Sequence, residues 1–162
     1  MSLKDQLNAD LRDAMRANDD TRRSTLRMLL TAVRNAEIPP ERADTNAPAA
    51  GPERLDLNDE AVLDIVRKQI KQRRDSIDVY SKAGRTDLAS REEAEVVVLQ
   101  VYLPPQMSRE DIAEAARAVI QRIGARGPAD KGKVMGPLMS ELRGKAEGGE
   151  INAVVTELLT QA

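Results

Sequence analysis

The sequence predicts an all-α fold, and three observations support that prediction. The chain of 162 residues has no Phe, no Trp and only two Tyr, so its core must consist of aliphatic side chains and Met. Charged residues make up 32% of the chain, and its apolar residues recur mostly at helical spacing. Such a composition is typical of helix-on-helix packing. We expect an N-terminal helical domain over residues 1–103 and a small three-helix C-terminal domain over residues 108–162.

The first two helices are expected to form an antiparallel hairpin. Ser2 can cap a helix that runs to about Ala17. The sequence Asn18-Asp19-Asp20 breaks the pattern and can cap a second helix that runs to about Glu37. A short connection between two amphipathic helices is typical of an antiparallel pair. The residues expected to be buried are Leu3, Leu7, Leu11, Met15, Leu26, Leu29, Leu30 and Val33.

Residues 38–57 are predicted to form an exposed, flexible loop. They contain four of the eight prolines and show little apolar periodicity. This composition favours plain disorder. A binding role stays open as the alternative, because loops of this length are often functional.

A long third helix is expected from its N-cap Asn58 to about Ala83, with Gly84 as the stop. Its middle is basic and has two interpretations, a surface that contacts phosphate or a solvated face with ion pairs along the helix. The solvated face is favoured, with Lys71 pairing with Asp75 and Arg74 pairing with Asp78. The residues expected to face inward are Val62, Ile65, Val66, Ile70, Ile77 and Tyr80, and the basic residues are Arg67, Lys68, Lys71, Arg73 and Arg74.

A fourth helix is expected from Thr86 to about Tyr102. Its run of branched residues also fits a strand by propensity, but the flanking acidic helical segment and the lack of a partner strand favour a helix. Glu92, Glu93 and Glu95 are the nearest approach to a carboxylate cluster. Because the chain has no His or Cys to complete a metal site, we interpret them as an acidic face near the helix N-terminus.

The C-terminal part begins after Pro104-Pro105, which cannot continue a helix. Ser108 can cap a fifth helix that runs to about Ile123, and Asp130 can cap a sixth. Pro137 either kinks the sixth helix or lies in the first turn of a helix that begins near Gly136. A glycine-rich connector joins two apolar stripes, which are Val134, Met135, Leu138, Met139 and Leu142, then Ile151, Val154, Val155, Leu158 and Leu159.

What the chain lacks limits its chemistry. Without Cys and His it has no thiolate nucleophile, no imidazole base, no disulfide and no ordinary zinc site, so we nominate no catalytic residue, metal or cofactor. Its net charge of -2 argues against general electrostatic adhesion to nucleic acid or membrane. No apolar run approaches the roughly 20 residues needed to span a bilayer. With no apolar leader at the start, we expect a cytoplasmic location and no membrane association.

Five short motifs occur in order along the chain, and they are Arg23-Ser24-Thr25-Leu26-Arg27-Met28-Leu29, Tyr102-Leu103-Pro104, Gly132-Lys133-Val134-Met135-Gly136, Leu138-Met139 and Arg143-Gly144-Lys145-Ala146. In this order and spacing they resemble the GatB/YqeY family, and the chain resembles the stand-alone YqeY proteins over nearly its full length. The resemblance implies an all-helical protein whose C-terminal domain is similar to the tail of the GatB subunit of the glutamine-dependent aspartyl/glutamyl-tRNA amidotransferase. In that enzyme the tail engages tRNA, while carbon–nitrogen ligation with glutamine as amide donor belongs to other domains and subunits.

The tail also departs from the family pattern. Stand-alone members commonly continue Ala-Asp-Gly and then a basic residue, whereas this chain has Ala146-Glu147-Gly148-Gly149 and lacks that cation. The departure weakens the expected tRNA affinity at this junction. The resemblance implies motif roles, structural or functional, for Gly132, Gly136, Leu138, Met139, Gly144, Ala146 and Gly148.

Three functions compete. The leading hypothesis is a tRNA-binding accessory protein with weak, salt-sensitive and backbone-directed binding, because almost no aromatic side chain is present to stack on bases. The alternative is a protein-interaction module that docks on an amidotransferase or a synthetase, with Met135 and Met139 as an adaptable surface. Independent catalysis is least favoured, because no nucleophile–base pair can be nominated. The candidate phosphate contacts are Lys131, Lys133, Arg143 and Lys145.

Overall fold

The computed structural model describes residues 1–39 and 54–161, and these ranges contain helices and connections but no strand. The predicted all-α fold is therefore confirmed, including a helix where the branched run of the fourth element also fitted a strand. The helices are α1 (Leu3–Arg16), α2 (Asp20–Ala36), α3 (Asp59–Lys82), α4 (Thr86–Gln100), α5 (Arg109–Ile123), α6 (Lys131–Glu141) and α7 (Gly148–Thr160), with a 3-10 turn at Pro128–Asp130.

The chain divides into two compact units, Met1–Leu103 and Pro104–Ala162. Each unit has its own cluster of buried apolar side chains. The first unit consists of α1 to α4, and the second consists of α5 to α7.

The helices of the first unit begin at the predicted caps. The Ser2 hydroxyl accepts the Asp5 N–H, and the Asp5 carboxylate accepts the Ser2 N–H in return, which makes a capping box. Asp19 and Asn58 cap α2 and α3 through one side-chain oxygen each. Gly84 follows α3 with a φ of 70°, in the left-handed region where glycine is favoured.

The core of the first unit matches the predicted stripes except at the end of α1. Met15 is 47% exposed, whereas Ala14 is fully buried. Because each residue advances the helix by about 100°, a strict four-residue spacing drifts by about 40° per step, so position 14 stays inward and position 15 does not. The buried apolar residues of this cluster are Leu7, Leu26, Leu29, Leu30, Val33, Val62, Val66, Ile70, Val96, Leu99 and Tyr102.

The basic middle of α3 is only partly the solvated face that the sequence suggested. Lys71 does pair with Asp75, at 3.8 Å, and both side chains are exposed. Arg73 is instead buried at 5% exposure, and its Nε donates to the Glu95 carboxylate of α4 at 2.8 Å. The interpretation of Glu95 as part of an N-terminal acidic face is therefore wrong, since it lies in the third turn and neutralises a buried cation.

Most of the predicted loop at 38–57 lies outside the described residues, which resume at Arg54. Its two ends meet at Glu37, a buried residue at the end of α2. The Glu37 carboxylate forms ion pairs with Lys4 and Arg54, and its carbonyl accepts the Leu55 N–H at 2.9 Å. Leu57 then packs against the core of the first unit. Both ends of the predicted loop are thus anchored to the helical layer.

The second unit is a three-helix arrangement around its own apolar cluster. Pro137 lies in the interior of α6, so the alternative in which that helix begins near Gly136 is wrong. Because proline has no N–H, the Lys133 carbonyl receives no helical donor from position 137. The buried residues of the cluster are Ile112, Ala113, Ala116, Val119, Val134, Leu138, Leu142, Ile151, Val154, Val155 and Leu159.

Candidate nucleic-acid interface

Helix α5 is fixed at both ends by local sequence. The Ser108 hydroxyl accepts the Asp111 N–H at 3.1 Å, and the Asp111 carboxylate accepts the Ser108 N–H, as predicted. Gly124 ends the helix with a φ of 70°. The Ala125 N–H then donates to the Ile120 carbonyl at 3.1 Å, which turns the chain toward α6.

Asp130 organises the turn between α5 and α6, but it does not cap α6 as predicted. Its side chain makes no capping hydrogen bond to α6. The carboxylate instead accepts the backbone N–H of Arg126 at 2.9 Å and lies 3.4 Å from Lys133 Nζ. The Arg126 N–H, with Lys133 beside it, holds the pKa of Asp130 below its usual value. Arg126 and Lys133 are therefore brought to one place by a shared carboxylate.

The four candidate cations lie in two pairs rather than in one cluster. Lys131 and Lys133 are in the first turn of α6, whereas Arg143 and Lys145 follow its C-terminus. Ten residues of α-helix span about 15 Å, so Lys133 and Arg143 are at opposite ends of the helix. A single phosphate group cannot contact both pairs.

The junction between α6 and α7 is a defined turn. Gly144 has a φ of 78°, in the left-handed region where glycine is favoured. The N–H groups of Lys145 and Ala146 both donate to the Leu142 carbonyl. The Lys145 carbonyl accepts the Met107 N–H at 2.9 Å, so the segment before α5 is bound to this turn.

The other motif residues take part in packing or lie on the surface. Leu138 is fully buried, and Ala146 packs against the same cluster. Met139 is exposed and lies beside Gly148, where an added Cβ would stand 3.2 Å from its terminal methyl group. Gly132 and Gly136 face open space on α6.

Charge is segregated within the second unit. Residues 104–162 carry eight cations and eight anions, yet residues 117–133 carry five of the cations and one anion. Arg122 is paired with Glu141 at 2.8 Å. Within the described part of the chain, Arg126 and Lys131 form no salt bridge. The basic end of the unit, which we define as residues 117–133, therefore includes two cations, Arg126 and Lys131, that form no salt bridge with a described residue.

Sequence reasoning missed the three arginines of the basic end. Arg117, Arg122 and Arg126 precede the family motif, so the resemblance did not select them. A count of charges along the C-terminal part would have found this run. That count would not have shown that Asp130 joins the arginine segment to the lysines of α6.

A shallow cleft of about 350 Å³ lies beside the C-terminus of α5. The half-buried apolar side chains of Ile120, Ala125 and Leu158 line its inner part. The exposed side chains at its margin are those of Arg117, Gln121 and Arg126. The cleft thus combines an apolar floor with two guanidinium groups.

Residues 1–39 and 54–161 contain neither a candidate metal site nor a candidate membrane-spanning helix. No group of three or more His, Cys, Asp or Glu side chains in these ranges could hold a metal ion. No helix there is long and apolar enough to cross a membrane.

Comparison with known proteins gives one consistent family. The sequence model of the family described as "Yqey-like protein" matches residues 4–159. "Altered inheritance of mitochondria protein 41, mitochondrial" of Eremothecium gossypii is 36% identical over 119 residues, which cover 72% of this chain and 58% of the relative. The protein of that name in Pyrenophora tritici-repentis is 30% identical over 147 residues, which cover 90% and 74%. In Lachancea thermotolerans it is 38% identical over 97 residues, which cover 60% and 46%. The chain thus spans about half the length of several relatives that it matches.

These names correct the expected cytoplasmic location. All three relatives are named as mitochondrial proteins, and this finding overturns the expected cytoplasmic location. The expectation rested on the lack of an apolar leader. Mitochondrial targeting segments are amphipathic and rich in Arg rather than apolar, so that observation had no bearing on mitochondrial import.

Proposed function

The chain belongs to the Yqey-like protein family, and from this premise we propose that it is a tRNA-binding accessory protein whose second unit contacts RNA phosphates. The segregation of charge supports the proposal most. Five of the unit's eight cations lie in residues 117–133 with a single anion. A concentrated patch of Lys and Arg attracts a polyanion even where the whole unit is neutral.

The contacts that we assign first are Arg126, Lys131 and Lys133. Asp130 brings the Arg126 backbone and the Lys133 ammonium group to the same carboxylate. Arg126 and Lys131 have no salt bridge to another described residue that would compete with a phosphate oxygen. Lys133 has its Asp130 contact at the surface, where ion pairs are worth little and exchange readily.

Arg143 and Lys145 form a second and weaker candidate contact. They lie about 15 Å from Lys133 along α6. Residues 141–157 carry four carboxylates against these two cations. We therefore assign them a secondary role, although the family motif first drew attention to them.

The expected binding is modest and depends on salt. A patch of a few cations gives affinities in the micromolar range or weaker, roughly the range of non-specific binding. Double-stranded RNA is recognised mainly through its backbone and shape, which requires no aromatic side chain. We assign no catalytic step to the chain. Its link to glutamine-dependent tRNA amidation is one of family kinship.

Fluorescence anisotropy with labelled tRNA and the full chain tests this function. We expect binding that weakens steeply between about 50 and about 200 mM salt. An Arg126→Gln/Lys131→Gln variant should bind about fivefold more weakly or worse. Lys71→Gln is the matched control, because it removes an exposed cation from the first unit. The absence of salt-dependent binding, or full affinity in the double variant, would reject the proposal.

One observation favours protein docking as a second candidate function. Val97 of α4 and Val101, which directly follows that helix, are 63% and 75% exposed. They are four positions apart, so they lie on the same side of the chain, and large exposed apolar side chains on one face are typical of protein interaction sites. The kinship points to an amidotransferase or a synthetase as the partner. A purified candidate partner should bind the chain after nuclease treatment, and the Val97→Glu variant should no longer bind that partner. Unchanged binding of the Val97→Glu variant would reject this surface.

A further inference from the structure

We propose that the cleft at the end of α5 receives one unpaired nucleobase of an RNA strand. The base would lie on Ile120 and Leu158, with the Arg117 and Arg126 guanidinium groups at its edges and faces. This inference rests on the proposed function, and it names the part of the RNA that the second unit recognises. The sequence predicted binding directed to the RNA backbone, and the cleft adds a contact to an RNA base.

The size and lining of the cleft suit a single planar group. Its volume of about 350 Å³ lies at the lower end of the range for small-molecule sites. The floor is formed by aliphatic side chains of α5 and α7, which offer dispersion contact to a flat ring. Gln121 at the margin has both donor and acceptor atoms, so its amide can pair with the polar edge of a base.

Arginine takes the place of aromatic side chains in this site. The two tyrosines of the chain, Tyr80 and Tyr102, are both in the first unit. The second unit therefore has no ring on which a base can stack. Unpaired bases in RNA also stack on planar guanidinium groups, which are weakly hydrated and present five donors. Arg117 and Arg126 are the arginines at the cleft.

Charge around the cleft selects a nucleotide rather than a neutral ring. Arg126 forms no salt bridge with a described residue, and Arg117 uses Nη1 for Glu110 at 3.2 Å while its side chain stays more than half exposed. Lys131 follows Arg126 after the short turn at Asp130. These cations can bind the phosphates on either side of a base that lies in the cleft. An RNA loop or end provides that arrangement, whereas a continuous duplex keeps its bases stacked.

Three RNAs tested against the full chain distinguish base recognition from phosphate recognition. The first is a blunt duplex, the second is the same duplex with a short single-stranded 3′ end, and the third has that end built from abasic sugar-phosphate units. Stacking of one base is worth enough to tighten binding about fivefold or more. We therefore expect the RNA with bases to bind about fivefold more tightly than the abasic RNA in an anisotropy titration.

Charge-conserving variants then locate the base. Arg117→Lys and Arg126→Lys keep the positive charge but remove the planar group, so they should abolish the difference between the normal and abasic RNAs. Arg109→Lys, at the other end of α5, is the matched control and should preserve that difference. Equal binding of the normal and abasic RNAs would overturn the cleft assignment and leave phosphate binding standing. Failure of all three RNAs to bind would reject both.

Discussion

Arg73 of α3 donates from Nε to the Glu95 carboxylate of α4 at 2.8 Å, and this pair joins the longest helix of the first unit to its neighbour. The Arg73 Nη1 atom also donates to the side chain and carbonyl of Gln69. Arg73 is buried, whereas the Glu95 side chain is 24% exposed. The carboxylate therefore neutralises a cation that water can hardly reach.

Glu95→Ala should destabilise the first unit by about 2–4 kcal/mol, because it leaves a buried guanidinium without its counter-ion. The partial exposure of Glu95 places the effect toward the lower end of that range. Urea unfolding followed by tyrosine fluorescence measures it, since both tyrosines are in the first unit. Lys71→Met on the exposed side of α3 should cost less than about 1 kcal/mol.

An Arg73→Met/Glu95→Leu variant should recover most of that stability, because apolar replacement of both partners removes the desolvation cost. A double variant as unstable as Glu95→Ala would show that the pair is needed for packing rather than for charge compensation.

Stability should fall below about pH 4 in part through the two capping boxes. Hydrogen bonds from Ser2 and Ser108 hold the pKa of Asp5 and Asp111 below the usual value of 3.8. A carboxylate with a lowered pKa stabilises the folded state above its unfolded pKa, and this contribution is lost as the pH falls through the folded pKa. Urea midpoints measured by far-UV circular dichroism from about pH 6 to about pH 3 should decline accordingly.

The Asp5→Asn/Asp111→Asn variant is the control for this decline, because Asn keeps an acceptor oxygen but does not titrate. Its midpoint should vary less with pH than that of the unaltered chain. If the variant and the unaltered chain show the same pH dependence, the capping boxes do not cause the decline. Asp87 and Asp130, whose pKa values are also lowered, would then be the next candidates.

Local sequence patterns predicted the helices correctly, but they did not predict the buried ion pair between Arg73 and Glu95. Caps and apolar spacing depend on residues within a turn or two, so Ser2, Asn58 and Ser108 marked helix starts correctly. The spacing of Val66 and Ile70 also predicts that the side chain at position 73 faces the core. Because that residue is an arginine, the sequence instead suggested that its side chain is exposed to solvent. Its burial depends on the contact with Glu95, which is 22 residues away.

The candidate site was predictable only in part for the same reason. The family motif selected lysines of α6 and the α6–α7 junction. The cleft is lined by both Arg126 and Leu158, which are 32 positions apart, and no periodicity in the sequence relates them. Asp130 was likewise predicted to cap α6, whereas its carboxylate accepts the Arg126 N–H.

Gly144→Ala should destabilise the second unit by about 1–2 kcal/mol, because a φ of 78° is strained for a residue with a Cβ. Gly132→Ala is the contrasting variant. Gly132 lies within α6 with open space at its Cβ and is not followed by a proline, so the change should be neutral or stabilise the unit by up to about 1 kcal/mol. Neither tyrosine lies in this unit, so hydrogen exchange of α6 and α7 peptides is the suitable measurement. Equal effects of the two changes would contradict a special role for the left-handed residue.

The salt dependence of RNA binding distinguishes the two ends of α6. Each phosphate contact that is removed should reduce the slope of log K against log salt by about 0.7–0.9, and we expect that change for Lys131→Gln and for Arg126→Gln. Lys145→Gln should change the slope less, because the cations after α6 are outnumbered by carboxylates in residues 141–157. Anisotropy titrations at several salt concentrations give the slopes. A larger change for Lys145→Gln than for Lys131→Gln would move the RNA to the α6–α7 junction, where the family motif first placed it, and would leave the cleft beside α5 without a ligand.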